Sequence, residues 1–269
     1  MTEFTVEKSQ PLLLVENLHK TFLLEAGLFA RADRKVLAVR GVSFEVYKGE
    51  VFGLVGESGS GKSTTARCLV HAHPPTSGRI LLDKVEVTPH NLPLIRSRMK
   101  YVFQDPSSSL DPRMTVEKIL TLGRLYSPDK PKKAQVMEEA REMLTAVGLG
   151  PEDLSRRPGD FSGGQRQRIS LARALMGRPE VLICDEVVSA LDVSIQGQIL
   201  NLLLDLKSQF GLTIVFIAHN LSVVGYLCDR LAVMQGGLIV EEGPAQQILQ
   251  DPQHPYTRTL ADSSPRLKI

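Results

Sequence analysis

The stretch Val51–Ser63, VFGLVGESGSGKS, restricts what this chain can fold into more than any other. VFGLV reads as a short strand buried on both faces, and the following TTARCLVHA has helical spacing. Between them, GESGSGKS fits G-x-x-x-x-G-K-[ST], with Gly56, Gly61, Lys62 and Ser63 in the fixed places. Glycines let successive backbone N–H groups wrap a phosphate chain, Lys62 reaches the β and γ groups, and the Ser63 hydroxyl can join Mg2+. Chance yields this pattern in roughly one chain of this size in a hundred. A flexible Gly/Ser turn would need neither the buried strand before it nor the helix after it. The loop from Gly56 through Glu57, Ser58, Gly59, Ser60, Gly61, Lys62 and Ser63 to Thr64 is therefore read as a nucleotide site.

The rest of the chain supplies a frame for such a loop. PLLLVENLHKTF and RGVSFEVYKGE are strand-like, RILLD is another candidate, and MKYVFQDP is a strand stopped by Asp-Pro. From about 106 to 160 the sequence turns polar and rich in helix formers (AQVMEEAREMLTAVGL), punctuated by SPDKPKK and GLGPEDL, and reads as an inserted helical subdomain. Strand and helix patterns then alternate: QRQRISLARALM, VLICD, SIQGQILNLLLDLKSQF, LTIVFIA, LSVVGYLC and the strand pair RLAVMQGGLIVEEG. Alternation of this kind implies a mainly parallel sheet covered on both faces.

Ligands bind such sheets at the C-terminal ends of the strands. VLICDE brings Asp185 to one strand end, where a carboxylate can hold Mg2+ through water, with Glu186 next to it placed to deprotonate an attacking water. Two acids can also merely solvate a strand end. Gln104 ends YVFQ and His219 ends LTIVFIAH; either could be structural, or a neutral hydrogen-bonding sensor of a γ-phosphate.

FSGGQRQR, Phe161–Arg168, is a second glycine turn at the head of a helix, this one without a lysine in its glycine turn. It has two readings. Ser162 could be an N-cap with Gly163 and Gly164 easing the turn. Alternatively, a turn so free of side chains leaves room for another group to approach closely.

Taken together and in this order, GESGSGKS, VFQDP, FSGGQRQRISLARAL, VLICDE, SALD and AHN resemble the ATPase subunits of ABC transporters, from about Leu12 to Tyr256. The resemblance implies an α/β P-loop NTPase (RecA-like) core with a mainly parallel sheet, antiparallel β elements near the N-terminus and the inserted helical subdomain. It implies an ATPase domain at 11–260 and a short mobile tail at 261–269. In that family two subunits pack head to tail, and SGGQ closes on the γ-phosphate held by the partner. Ser162, Gly163, Gly164 and Gln165 would then serve another chain's ATP, with Asp192 of SALD on the dimer seam. Gln104 becomes the Q-loop residue and a Mg2+ neighbour beside Ser63 and Asp185; His219 becomes the switch histidine; Lys62 and Glu186 complete the catalytic set. Phe22 is a candidate for stacking on adenine, or an ordinary core aromatic.

VFQDPSSSLDPRMTV, SALDVSIQGQILNLL and HPYTRTL are similar to the oligopeptide/dipeptide/nickel importer branch, and the segment LLEAGLFARADRKVLAVRGVSF to its F-type subunits. This implies membrane permease subunits, a second ATPase subunit, an extracytoplasmic solute-binding protein, and a place on the cytoplasmic face of the inner membrane. Val187 stands where Pro or Ala is more usual and Asn220 where Asp commonly follows the switch histidine. No cysteine follows HPYT, so no iron–sulfur site is carried over. The alternative is a soluble ABC-type ATPase working on nucleic acid or the ribosome. A net charge of +2 gives little support for nucleic acid as a partner. Cys68, Cys184 and Cys228 are scattered and read as reduced, packed thiols of a cytosolic protein. MTEFTVEKSQ lacks the order of a signal peptide, and apolar runs such as LTIVFIA are far below the ~20 residues that span a bilayer.

Overall fold

The computed structural model describes residues 10–24 and 34–263. The chain opens with β1 (Leu13–Leu24), β2 (Arg34–Val46) and β3 (Val51–Val55), then α1 (Lys62–Leu69). Strands β4 (Ser77–Leu82) and β5 (Val85–Glu86) lead into α2 (Leu92–Arg98) and β6 (Met99–Val102). Helices α3 (Pro106–Ser109), α4 (Val116–Leu125), α5 (Lys133–Ala146) and α6 (Gly163–Leu175) follow without an intervening strand. The remainder is β7 (Val181–Asp185), α7 (Val193–Phe210), β8 (Thr213–Ala218), α8 (Leu221–Leu227), β9 (Arg230–Gln235), β10 (Leu238–Pro244), α9 (Ala245–Gln250) and α10 (Pro255–Ser263).

Two sheets form. One has the order β10-β9-β3-β8-β7-β6 and is parallel except for its β10–β9 edge; the other, β2-β1-β4-β5, is antiparallel. The period-2 geometry of a strand explains why β3, β7 and β8 carry hardly any polar residue. Val51 and Val55, Leu182 and Cys184, and Ile214 and Phe216 face one apolar core. Their neighbours Phe52 and Leu54, Val181 and Ile183, and Val215 and Ile217 face a second. Helices α4 to α8 contribute to the first core. The second core is closed by α1, α2 and the antiparallel sheet, through Leu13, Val15, Val39, Phe44, Leu69 and Ile95. One face of the parallel sheet is thus covered largely by another sheet rather than by helices alone.

The helical segment has no separate interior. Val116, Leu120, Val136 and Met143 belong to the same apolar cluster as Ile169, Leu171 and Leu175 of α6, which joins the inserted helices to the sheet. The C-terminal residues also depart from the expected tail. Residues 261–263 continue α10, and Ala261 packs against the first core, so the helix carries the chain beyond 260. The rest of that expected tail, 264–269, lies outside the described residues, as do residues 25–33 of the F-type-like segment.

Register decides where the site sits. Val55 is level with Ala218, Ile217 with Asp185, and Cys184 with Val102. The residues just beyond these strand ends are Gly56, His219, Glu186 and, two positions on, Gln104. Four segments far apart in sequence therefore meet at the C-terminal ends of the strands.

Candidate nucleotide site

The loop between β3 and α1 is held by its own chain. Gly56 has φ 151° and a side chain there would strike the Met234 carbonyl oxygen at 2.2 Å; Gly61, the N-cap of α1, has φ 106°, and a side chain there would strike the Ala38 carbonyl oxygen at 2.4 Å. No other residue type tolerates those backbones. The first turn of α1 offers its free N–H groups without a side-chain cap, an anion cradle by construction. Lys62 is 4% exposed and its ammonium donates to the carbonyls of Gly56 and Glu57, both at 2.8 Å. Burial lowers the Lys62 pKa, while the nearby carboxylates of Glu186, Asp185 and Glu57 hold it up. The cation is thus fixed inside the loop with three acids around it.

Ser63, one residue on, donates from Oγ to Asp185 Oδ1 at 2.8 Å. A hydroxyl and a carboxylate oxygen in contact are the hard donors that suit Mg2+, which takes its other ligands from phosphate and water. The expected metal pair Ser63 and Asp185 is therefore assembled. Gln104 is not turned toward it. Its amide donates to Glu186 Oε2 and Ser189 Oγ, each at 3.3 Å, from an exposed position.

Glu186 is the centre of a second cluster. His219 Nδ1 lies 3.5 Å from the same Oε2, with the histidine half-exposed and Glu186 mostly covered. The Glu186 backbone is left-handed (φ 49°), pinned by its N–H to the Ile217 carbonyl at 3.0 Å and by Ser189 Oγ to its own carbonyl at 2.9 Å. That backbone turns the side chain out of the strand direction followed by Asp185. Asn220 caps α8, accepting from the Ser222 N–H at 2.8 Å, a role that an Asp would fill equally.

Two tyrosines at the site carried no signal in the sequence. The Tyr101 hydroxyl, on β6, donates to Asp185 Oδ2. Tyr256, in the HPYT stretch, accepts from the Glu57 N–H at 2.9 Å and so ties α10 to the phosphate loop. Neither residue type is diagnostic, and both contacts depend on long-range packing.

The SGGQ turn is built otherwise. Ser162 Oγ accepts from the Gln165 N–H at 3.3 Å, and Gln165 Oε1 accepts from the Ser162 N–H at 3.0 Å: a reciprocal cap. The turn is capped, and there is room over Gly163 but not over Gly164, where an added side-chain carbon would come within 2.8 Å of Ile195 Cγ2. Asp192 starts α7 with its side chain exposed and uncommitted to a cap, beside the exposed Val193. Phe22 stands elsewhere. Its ring meets His73 edge-on at 5.4 Å, with the Lys20 ammonium 5.0 Å from its centroid, beyond the end of α1 opposite the phosphate loop.

A groove of about 730 Å3 runs between β6 and the inserted helices, with Leu94, Tyr101, Phe103, Met114, Leu122 and Arg173 among its walls. Leu94, Phe103 and Leu122 are exposed there. Among the described residues, no helix is long and apolar enough to cross a membrane.

Residues 39–189 match the family described as ABC transporter, and residues 240–269 match the oligopeptide/dipeptide transporter C-terminal region. The glutathione import ATP-binding protein GsiA of Escherichia coli (strain K12) is 47% identical over 267 residues, covering 97% of this chain and 42% of GsiA. GsiA of Shigella dysenteriae serotype 1 gives the same values, so the chain spans about two fifths of the length of these curated relatives. Among solved structures, CbiO1 of Clostridium perfringens, part of an ABC transporter complex, aligns with a TM-score of 0.76 at 25% identity, over 90% of this chain and 92% of that one. A dimeric ATP-binding cassette in a post-hydrolysis state, bound to ADP and Pi, aligns with a TM-score of 0.74 at 25% identity, over 87% and 98%.

Proposed function

The chain belongs to the ABC transporter family, and from that premise we propose that it binds and hydrolyses ATP to power an importer of the oligopeptide/dipeptide type. The observation that carries this is the convergence of Lys62, Ser63, Asp185, Glu186, Gln104 and His219 at the C-terminal ends of the strands beside a glycine cradle. Phosphoryl transfer asks a protein mainly for positioning and charge neutralisation. The N–H groups of Gly59 to Thr64 hold the phosphates and Lys62 neutralises them. Ser63 and Asp185 would hold Mg2+, which supplies the charge that screens the β- and γ-phosphates. Glu186 takes the proton of the attacking water, with His219 and Gln104 fixing the carboxylate that receives it.

Ser162, Gly163, Gly164, Gln165 and Asp192 complete the site of a second ATPase subunit, in keeping with the dimeric cassette to which the fold is similar. The apolar groove beside β6 receives a helix of a membrane permease, which would hold the chain at the cytoplasmic face of the membrane. The C-terminal match and the glutathione-import relative support peptide-like cargo, delivered by an extracytoplasmic binding protein. Glu186→Gln tests the chemistry. Phosphate release should fall by about 10²–10⁴ while ATP binding persists; unchanged turnover would remove Glu186 from its role.

A further inference from the structure

Asp185 is engaged at both oxygens. Ser63 Oγ donates to Oδ1 and the Tyr101 hydroxyl donates to Oδ2. Tyr101 lies on β6, the edge strand, one register step from the pair Val102–Cys184. An edge-strand phenol could send its O–H to water, yet this one is aimed at the carboxylate next to the phosphate loop. Its ring does a second thing. It packs on Phe103 with centroids 4.8 Å apart at 56°, and both rings line the groove beside the inserted helices. Phe103 is 47% exposed, so it is the part of this pair that an occupant of the groove would touch.

One side chain thus spans the distance from groove to carboxylate, by a path that leaves out Gln104. We propose that Tyr101 is a positioning residue: it fixes the Asp185 carboxylate in the orientation that shares a divalent cation with Ser63, and its packing on Phe103 makes that orientation answer to the groove. This rests on the reading of Asp185 as the cation-holding carboxylate. A hydrogen bond to a charged group constrains orientation strongly, because losing it leaves the carboxylate to find another donor. A phenol that only filled space would affect the fold and the whole nucleotide pocket alike; one that aims Asp185 should affect the metal-dependent part alone.

The experiment compares nucleotide affinity with excess Mg2+ and with EDTA, using ADP and the full chain, so that no turnover is needed. The ratio of the two is the gain due to Mg2+. Tyr101→Phe keeps the ring and loses the donor; the gain should fall about tenfold, with the EDTA affinity within twofold. Phe103→Ala, at an exposed position where the fold is not at stake, should lower the gain two- to threefold. Asp185→Asn is the reference and should abolish it. A wild-type gain in Tyr101→Phe beside a lost gain in Asp185→Asn would overturn the inference alone. An equal loss with and without Mg2+ in Tyr101→Phe would also overturn it, marking the phenol as structural. No change in Phe103→Ala would sever the link to the groove. A wild-type gain in Asp185→Asn would remove the metal assignment itself and, with it, this proposal.

Discussion

The chain contains two glycine turns that open helices, and they are glycine-rich for different reasons. Before α1, the glycines answer to their own chain: Gly56 and Gly61 sit at φ 151° and 106°, against the carbonyls of Met234 and Ala38. Before α6, nothing among the described residues demands Gly163. Its backbone is helical, and an added side-chain carbon would meet no atom nearer than Leu191 Cδ2 at 3.8 Å. Glycine costs helix stability, so a glycine without a local reason points to a neighbour outside the chain. Gly164 is intermediate: an added side-chain carbon would lie 2.8 Å from Cγ2 of Ile195, the methyl on its stiff branched carbon. The first turn carries a buried lysine and no cap; the second carries a full cap and no lysine. One is shaped by groups of its own chain, and the other is complete only as a helix cap.

Substitution separates the two. Gly61→Ala should be the most damaging, since strain and a backbone clash of a few kcal/mol correspond to a loss of nucleotide affinity in the isolated chain of roughly 10²-fold or more. Binding of a fluorescent nucleotide would show it, and retained affinity would mean the cradle does not need its observed backbone. Gly163→Ala should leave that monomer affinity within about twofold, and abolish ATP-dependent pairing seen by light scattering. If monomer affinity collapsed instead, the second turn would be serving its own chain and the contrast would be lost. The same variant should raise Tm by about 1–2 °C, because alanine favours a helix. Ser162→Ala should do the reverse, removing one half of a reciprocal cap worth about 1 kcal/mol and lowering Tm by about 2–4 °C in a thermal melt.

Much of this arrangement could be read before any coordinates. VLICD is β7 residue for residue; β6 and β8 stop at Val102 and Ala218, short of the expected ends at Gln104 and His219, yet both of those residues still meet at Glu186 beside Asp185. These are local patterns with strict geometric demands: apolar runs that must be buried on both faces, and glycines where a side chain cannot fit. What escaped the sequence was set by distant partners. Tyr101 and Tyr256 act through single hydroxyls whose targets lie 84 and 199 positions away. No periodicity marks such a pair. The orientation of Gln104 toward Glu186 rather than toward Ser63 was likewise beyond reach, because a strand-end amide can rotate to either side. Short α2, and the packing of α6 with the inserted helices, depend on which apolar faces remain after the sheet has formed.

The left-handed backbone of Glu186 has a consequence for the stability of such a site. A glutamate there is strained by about 1 kcal/mol or more, and glycine would adopt the same turn freely while keeping both main-chain hydrogen bonds. Glu186 shares that backbone with Asn17, His71, Asp83, Lys84, Lys130 and Arg178, but of these only Glu186 lies within reach of both Gln104 and His219. The residue proposed to receive the proton is thus held in a backbone that costs stability, and Glu186→Gly should raise Tm while removing the carboxylate.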